Sequence, residues 1–114
     1  MLRNIETAEE LRQLAITSAN VLVYFYNDGC APCISLRPKV EQLMLENFPK
    51  MDLVYVNGAG FPELVAEFQA FSFPVLIIFF EGKEFRRYSK YVSISELSET
   101  IGRIYNIFYG DQVS

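Results

Sequence analysis

Two cysteines separated by two residues, Cys30 and Cys33, are the side chains of this chain that are best suited to chemistry. They are its only cysteines, and they lie in the segment DGCAPC, residues 28–33, after an apolar run and before a stretch with helical spacing. A thiolate is the reactive form of cysteine, and a helix N-terminus favours it through its partial positive charge and unpaired N–H groups. Two thiols at a junction from strand to helix are therefore placed for redox chemistry.

The elements that position the two cysteines are a strand before them and a helix after them. The run Val21–Tyr26 is apolar and aromatic without alternation, which predicts a strand that is buried on both faces. The second element is predicted to be a helix from Cys30 to Asn47. Pro38 lies inside it and predicts a kink, because proline cannot donate to the carbonyl four residues earlier.

The rest of the chain predicts further strands and helices around this unit. Capping boxes that begin at Thr7 and Ser93 predict the starts of the first and last helices. The order of elements implies a central sheet with helices on both faces. The predicted elements, in chain order, are a short edge strand within residues 1–5, a helix to Thr17, the strand 51–56, a helix 61–71, the strand 75–80, a hairpin turn at 81–82, the strand 83–88 and a helix that ends at Gly110.

Length and composition restrict the classes of function. The 114 residues predict a single domain, residues 1–114, and the hydrophobic fraction of 51% is enough for a sizeable core. A net charge of −4 argues against a nucleic-acid partner, because phosphate binding needs a basic surface. No apolar run approaches the roughly 20 residues of a membrane span, and residues 1–6 carry no signal-peptide hydrophobic region. A cytoplasmic protein without a membrane anchor is expected.

The chain contains no histidine, which excludes catalytic Cys–His and Ser–His pairs within it. Histidine-based metal sites are excluded as well. A zinc or iron–sulfur site with four thiolates would need a second chain, because this one supplies only two cysteines. We therefore expect neither a metal nor another cofactor.

These features resemble the thioredoxin family over essentially the whole chain. The sequence CAPC at residues 30–33 matches the family's C-x-P-C active-site motif, and Pro38 falls where the family kinks its active-site helix. Phe73-Pro74 matches the family's cis-proline, and Gly82 lies in the hairpin between the last two strands. The resemblance implies an α/β thioredoxin fold, in which a mixed sheet of four or five strands is flanked by helices on both faces.

The resemblance also implies thiol–disulfide exchange with protein disulfides. Cys30 would attack as the thiolate, and Cys33 would resolve the mixed disulfide and leave a Cys30–Cys33 disulfide. A thioredoxin reductase is the implied electron donor, and a monomer is expected. The residues expected to contact an extended substrate peptide border the dithiol, and they are Gly29, Ala31, Pro32, Phe73 and Pro74.

Two interior positions depart from the family pattern. Thioredoxins carry a buried Asp beneath the resolving cysteine, paired with a Lys on the next strand, and Tyr24 and Tyr55 stand at those positions here. Tyrosine is a poor base at neutral pH, because its ordinary pKa is about 10. We expect the two tyrosines to pack in the core, and the proton of Cys33 to leave to water or to another group.

Departures at the surface keep two other functions open. Gly29 replaces the Trp that usually precedes the first cysteine, and Lys90 or Tyr91 stands where the family has a glycine before the last helix. These losses are compatible with a non-catalytic binding module that keeps the fold and uses its surface for a partner. A third interpretation keeps the chemistry and reverses its direction, as an oxidase or isomerase in an oxidising compartment.

Overall fold

The computed structural model describes residues 2–17 and 20–110, and it arranges them in one five-stranded sheet with four α-helices. A π-helical turn, Asn106–Gly110, extends the last α-helix. The elements in chain order are β1 (Leu2–Asn4), α1 (Ala8–Thr17), β2 (Asn20–Tyr26), α2 (Ala31–Asn47), β3 (Asp52–Asn57), α3 (Pro62–Glu67), β4 (Val75–Phe80), β5 (Lys83–Ser89) and α4 (Ile94–Tyr105).

The sheet is mixed, with the strand order β1-β3-β2-β4-β5. β1, β3 and β2 run parallel, while β4 is antiparallel to both of its neighbours. β2 therefore lies in the centre of the sheet, and the cysteine segment follows its carboxyl end. In the register of β2 against β3, Tyr24 is the partner of Tyr55. The predicted mixed sheet is confirmed.

Helices cover both faces of the sheet, which explains why β2 lacks alternation. Side chains of β2 alternate between two apolar cores, and both cores are closed to solvent. One core packs β2 against α1 and α3, and the other packs it against α2 and α4. The first core includes Val21, Val23, Phe25, Leu11, Ala15 and Leu64, and the second includes Leu22, Tyr24, Val40, Met44, Leu97 and Ile101.

Local signals at several element ends are confirmed. The Thr7 hydroxyl accepts from the Glu10 N–H at 3.1 Å, and the Ser93 hydroxyl accepts from the Glu96 N–H at 3.2 Å. The hairpin turn has left-handed backbone at both central residues, with φ of 51° at Glu81 and 80° at Gly82. Such a turn matches the twist of the strands that it joins.

The predicted helix 61–71 is wrong at its end, because α3 stops at Glu67. Gln69 has a φ of 55°, which is incompatible with a continuing right-handed helix. The Arg87 side chain on β5 donates to the carbonyl of Phe68 at 2.9 Å and to that of Gln69 at 3.1 Å. Arg87, on a distant strand, thus provides hydrogen-bond donors for two carbonyls that follow the helix. The apolar pattern of residues 61–71 does not predict this contact.

The two ends of the chain also differ from the simplest prediction. The first strand is three residues long, and Met1 of the predicted range lies outside the described residues. The last helix is α-helical to Tyr105 and then π-helical to Gly110. None of the helices in residues 2–17 and 20–110 has the length and apolar character that crossing a membrane requires.

Candidate active site

The two cysteines lie at the N-terminus of α2 and are joined in a disulfide, with their Cα atoms 5.3 Å apart. Cys30 is the N-cap residue, and its Sγ accepts a hydrogen bond from the Cys33 N–H at 3.2 Å. Pro32 occupies the first turn, where the missing N–H of proline costs no helical hydrogen bond. The Cys30 sulfur therefore lies at the positive end of the helix, which favours its thiolate form.

A short turn fixes the approach to Cys30. The side chain of Asn27 accepts from the Gly29 N–H at 2.9 Å, and its backbone carbonyl accepts from the Cys30 N–H at 3.2 Å. An Asn side chain that bonds the backbone two residues later is a common device for holding such a turn. Gly29 and Ala31, two predicted contact residues, are both exposed on the rim beside Cys30.

The two sulfurs differ in access. Cys30 is half-buried, whereas Cys33 is only 3% exposed. The pair is therefore accessible to solvent from the Cys30 side, and Cys33 faces the interior of the protein.

A groove of about 460 Å³ runs beside the dithiol between Pro32 and Pro74. The Phe73–Pro74 peptide bond is cis, as the resemblance implied. The Pro74 carbonyl accepts from the Lys90 N–H at 2.9 Å. Lys90 itself has a φ of 66°, so it adopts the left-handed backbone that a glycine would adopt most easily. The structure thus brings two of the predicted contact residues, Pro32 and Pro74, to the same groove.

Phe73, the residue before the cis-proline, is half-buried, and its ring lies against Gly58. A Cβ atom on Gly58 would overlap this ring. The Gly58 N–H in turn donates to the Tyr26 carbonyl at 2.7 Å, which ties the turn after β3 to the end of β2. Gly58 was not among the predicted site residues, because the requirement for a glycine there comes from a ring that lies far away in sequence.

Tyr24 and Tyr55 are buried beneath Cys33, as expected for core residues, and their hydroxyl groups are also hydrogen-bonded. The Tyr24 hydroxyl donates to the Cys33 carbonyl at 2.6 Å. The Tyr55 hydroxyl donates to the Glu41 carboxylate. Burial raises the pKa of Tyr24 to about 12. Burial and the hydrogen bond to Glu41 raise the pKa of Tyr55 as well, so both tyrosines are protonated at neutral pH.

A charged pair on α2 completes the interior of the site. Arg37 lies with its guanidinium carbon 3.8 Å from the Tyr55 ring centre, and its Nε is 3.3 Å from Glu41 Oε2. Both residues line a pocket of about 300 Å³ that also reaches Cys33 and Tyr24. Sequence reasoning missed this pair. The available signal was the spacing of four residues from Cys33 to Arg37 and again to Glu41, which places all three on one face of a helix.

The chemistry available to these side chains is sulfur exchange between the two cysteines and a third sulfur. Among residues 2–17 and 20–110, no group of three or more His, Cys, Asp or Glu side chains is placed to hold a metal ion.

Comparison with known protein families gives one match that spans most of the chain. The family model described as Thioredoxin matches residues 4–103. A curated protein named Thioredoxin from Mycoplasmoides gallisepticum is 30% identical over 104 residues, which cover 88% of this chain and 99% of that protein. The Thioredoxin-like protein YdfQ of Bacillus subtilis is 29% identical over 89 residues, which cover 78% of this chain and 79% of that protein.

Solved structures show the same fold at lower sequence identity. A mutant thioredoxin from Halobacterium salinarum superposes with a TM-score of 0.80 at 21% identity, covering 99% of this chain and 94% of that one. Thioredoxin from Trypanosoma brucei brucei superposes with a TM-score of 0.83 at 19% identity, covering 91% of this chain and 90% of that one.

Proposed function

The chain belongs to the thioredoxin family, whose members with a C-x-x-C pair are thiol–disulfide oxidoreductases, and we propose that it reduces disulfide bonds of other proteins. Cys30 is the nucleophile, and Cys33 is the resolving cysteine. The observation that carries this proposal is the position of the Cys30 sulfur at the N-cap of α2, where it accepts the Cys33 N–H. A helix N-terminus with a donor aimed at sulfur stabilises the attacking thiolate.

The reaction begins with the reduced protein. The Cys30 thiolate attacks one sulfur of the substrate disulfide, so that a bond from Cys30 to this sulfur forms while the substrate S–S bond breaks. The other substrate sulfur leaves as a thiolate and takes up a proton. The partial exposure of Cys30 allows this contact. Cys33 is buried and therefore cannot reach the substrate disulfide first.

The second step resolves the mixed disulfide. Cys33 loses its proton and attacks the Cys30 sulfur, which forms the Cys30–Cys33 disulfide and releases the second substrate sulfur as a thiolate. The protein has then given two electrons to the substrate. The two released substrate thiolates take up two protons, one that balances the proton lost by Cys33 and one from solvent. The backbone separation of 5.3 Å between the cysteines is within the range that a disulfide requires.

Substrate selection falls to the groove between Pro32 and Pro74 and to the exposed residues beside it. Gly29, Ala31 and the main chain of Phe73 form the rest of the proposed contact surface. Main-chain pairing with an extended peptide accepts many sequences. A thioredoxin reductase is the proposed electron donor, the cytoplasm is the proposed location, where thiols are kept reduced, and the proposed active form is a monomer.

Reduction of insulin disulfides tests the proposal. Reduced protein with dithiothreitol as the electron source is expected to precipitate the insulin B chain faster than dithiothreitol alone. The Cys30→Ser variant is the matched control, because it keeps the size of the side chain and lacks the nucleophilic sulfur. Equal rates for the wild type, the variant and dithiothreitol alone would contradict the proposal.

A further inference from the structure

We propose that Glu41, held by Arg37 and Tyr55, accepts the proton of Cys33 through water in the pocket behind the dithiol. This inference rests on the proposed function and deepens it, because it concerns the second step of exchange at the same site. It assigns a role to a carboxylate on the active-site helix itself. The family pattern implied by resemblance instead places a carboxylate on the strand below, where Tyr24 stands here.

Cys33 needs a proton acceptor, and the groups that face it can be compared one by one. Within the part of the chain that the structure describes, two of them are carboxylates, Asp28 and Glu41. The titratable and charged side chains that line the pocket or bond to its lining come from the cysteine loop, α2, β2 and β3, and they are Asp28, Cys33, Arg37, Glu41, Tyr24, Tyr26 and Tyr55.

The tyrosines beneath Cys33 are unsuited to the task. The hydroxyl proton of Tyr24 is donated to the Cys33 carbonyl, and that of Tyr55 is donated to Glu41. Burial raises the pKa of both hydroxyls, so neither tyrosinate is present at neutral pH to accept a proton. Arg37 is a cation and cannot accept one either.

Glu41 is better held than Asp28. Asp28 is exposed in the turn before Cys30, whereas the Glu41 side chain is 32% exposed and is bonded to two partners. Both hydrogen bonds that Glu41 accepts within the described residues are at Oε2, from Tyr55 and from Arg37. They fix the carboxylate in place and leave Oε1 open to a proton.

The pocket provides a path from Cys33 to Glu41. Its volume of about 300 Å³ accommodates several water molecules, since one water occupies about 30 Å³ in the liquid. In the mixed disulfide, the proton of the Cys33 thiol passes through this water to Glu41, and the resulting thiolate attacks the Cys30 sulfur. The departing substrate thiolate then takes up a proton from solvent, and Glu41 returns its proton to solvent through the pocket.

Ellman's reagent separates the two steps in a stopped-flow experiment on the whole reduced chain. Attack by Cys30 releases a first thionitrobenzoate, and attack by Cys33 on the mixed disulfide releases a second. In Glu41→Gln, we expect the first phase to keep its wild-type rate and the second phase to slow by about a hundredfold, the lower end of the range for proton-transfer catalysis. Glu46→Gln is the matched control on the exposed face of the same helix, and it is expected to keep both rates.

The dependence on pH separates proton transfer from a merely structural role. Without the carboxylate, the second phase of Glu41→Gln is expected to rise in proportion to hydroxide, whereas that of the wild type is expected to rise less steeply near neutral pH. Formate is expected to restore part of the second phase in Glu41→Ala, because it can enter the space left by the side chain. Glu41→Asp is expected to be faster than Glu41→Gln, and this pair still tests the inference if the alanine variant fails to fold.

The possible failures are distinguishable. A wild type that shows no second phase contradicts the proposed function itself. A normal wild-type second phase that Glu41→Gln leaves unchanged at every pH overturns this inference alone. Loss of the second phase in Asp28→Asn, with Glu41→Gln unaffected, would overturn it in favour of the loop carboxylate.

Discussion

The surroundings of Cys30 and those of Cys33 are built from different parts of the chain. Cys30 is positioned by its own neighbours, namely the turn at Asn27 and the first turn of α2. Cys33 accepts a hydrogen bond from Tyr24 on β2 and shares a pocket with Arg37 and Glu41 from later turns of α2. Glu41 is in turn bonded to Tyr55 on β3. The surroundings of Cys30, the proposed nucleophile, are thus local in sequence, whereas those of Cys33 depend on tertiary contacts.

The short motif therefore specifies the surroundings of one cysteine more fully than those of the other. The hydrogen bonds at Cys30 in the described part of the chain come from the local turn and the helix N-terminus. The interior holds a charged pair on the helix, Arg37 and Glu41, in a site where two neutral tyrosines occupy the strands. The C-x-x-C motif therefore identifies the two cysteines but does not specify the side chains around Cys33, among which its proposed proton acceptor lies.

The largest effect that separates the two halves is expected from serine substitution of each cysteine. Cys30→Ser removes the nucleophile and is expected to reduce insulin no faster than dithiothreitol alone. Cys33→Ser keeps the nucleophile but cannot resolve the mixed disulfide, so it is expected to remain covalently bound to its substrate. Mass spectrometry without added reductant detects the adduct. An adduct on Cys30→Ser, and none on Cys33→Ser, would reverse the assignment.

The next effect tests whether the cis-proline loop also depends on tertiary contacts. Arg87→Ala removes the donor to two carbonyls after α3, and hydrogen bonds from a charged group are worth about 1.5–3 kcal/mol. We expect the free energy of unfolding to fall by about 1–3 kcal/mol in urea denaturation. Arg86→Ala is the control on the exposed neighbouring position, with an expected change within about 0.5 kcal/mol. Equal changes in both variants would contradict this view of the loop.

A smaller effect is expected where Phe73 meets the turn after β3. Gly58→Ala places a methyl group where the Phe73 ring now lies, so the ring must move. We expect kcat/KM for insulin to fall several-fold, because the displaced ring belongs to the residue that precedes Pro74. Gly60→Ala is the matched control. Its added methyl group would lie 3.6 Å from its nearest neighbour, the Asn57 carbonyl oxygen, so we expect kcat/KM to stay unchanged.

The smallest effect concerns the hydroxyl of Tyr24. Tyr24→Phe removes the side-chain hydrogen bond to the Cys33 carbonyl, and we expect the free energy of unfolding to fall by about 0.5–1.5 kcal/mol at neutral pH. The folded-state pKa of about 12 exceeds the ordinary value of 10.0, so the unfolded chain loses this proton first. The contribution of the protonated Tyr24 hydroxyl to the free energy of unfolding is therefore fully present below about pH 10, and it is lost as the pH rises towards 12.

The matching measurement is urea denaturation at several alkaline pH values. The wild type is expected to lose more stability than Tyr24→Phe between pH 10 and 12, while Tyr55 contributes the same alkaline loss to both proteins. Parallel curves for the two proteins over this range would show that the environment of Tyr24 is not the one described.

Most of the fold was predictable because its signals are local. The unbroken apolar run of β2 indicated a strand covered on both faces, and the capping residues Thr7 and Ser93 marked two helix starts. The end of α3 was not predictable. The helix ends in a turn in which the Gln69 N–H donates to the Ala66 carbonyl and the Ala70 N–H donates to the Val65 carbonyl. Gln69, rather than the usual glycine, has the left-handed backbone of this turn, so the sequence carries no clear stop signal. Arg87 adds bonds to the carbonyls of Phe68 and Gln69 from a distant strand.

In the candidate site, too, the residues of local motifs were predictable, whereas the tertiary contacts were not. The C-x-x-C motif and the prolines indicated the dithiol and the groove beside it, because these residues match motifs of the family that the sequence resembles. Tyr24 and Tyr55 were correctly expected in the core, but their hydrogen bonds were not foreseen. Arg37 and Glu41 match no motif, and their importance follows only from the pocket that they share with Cys33.

The reduction potential of the Cys30–Cys33 pair tests most directly whether the pair works as a reductant of protein disulfides, as proposed. Equilibration of the chain with defined ratios of reduced and oxidised dithiothreitol or glutathione, followed by trapping of free thiols, gives the value. We predict a potential of about −270 mV, that of thioredoxin. A potential of about −120 mV, typical of a strong oxidant, would contradict the claim.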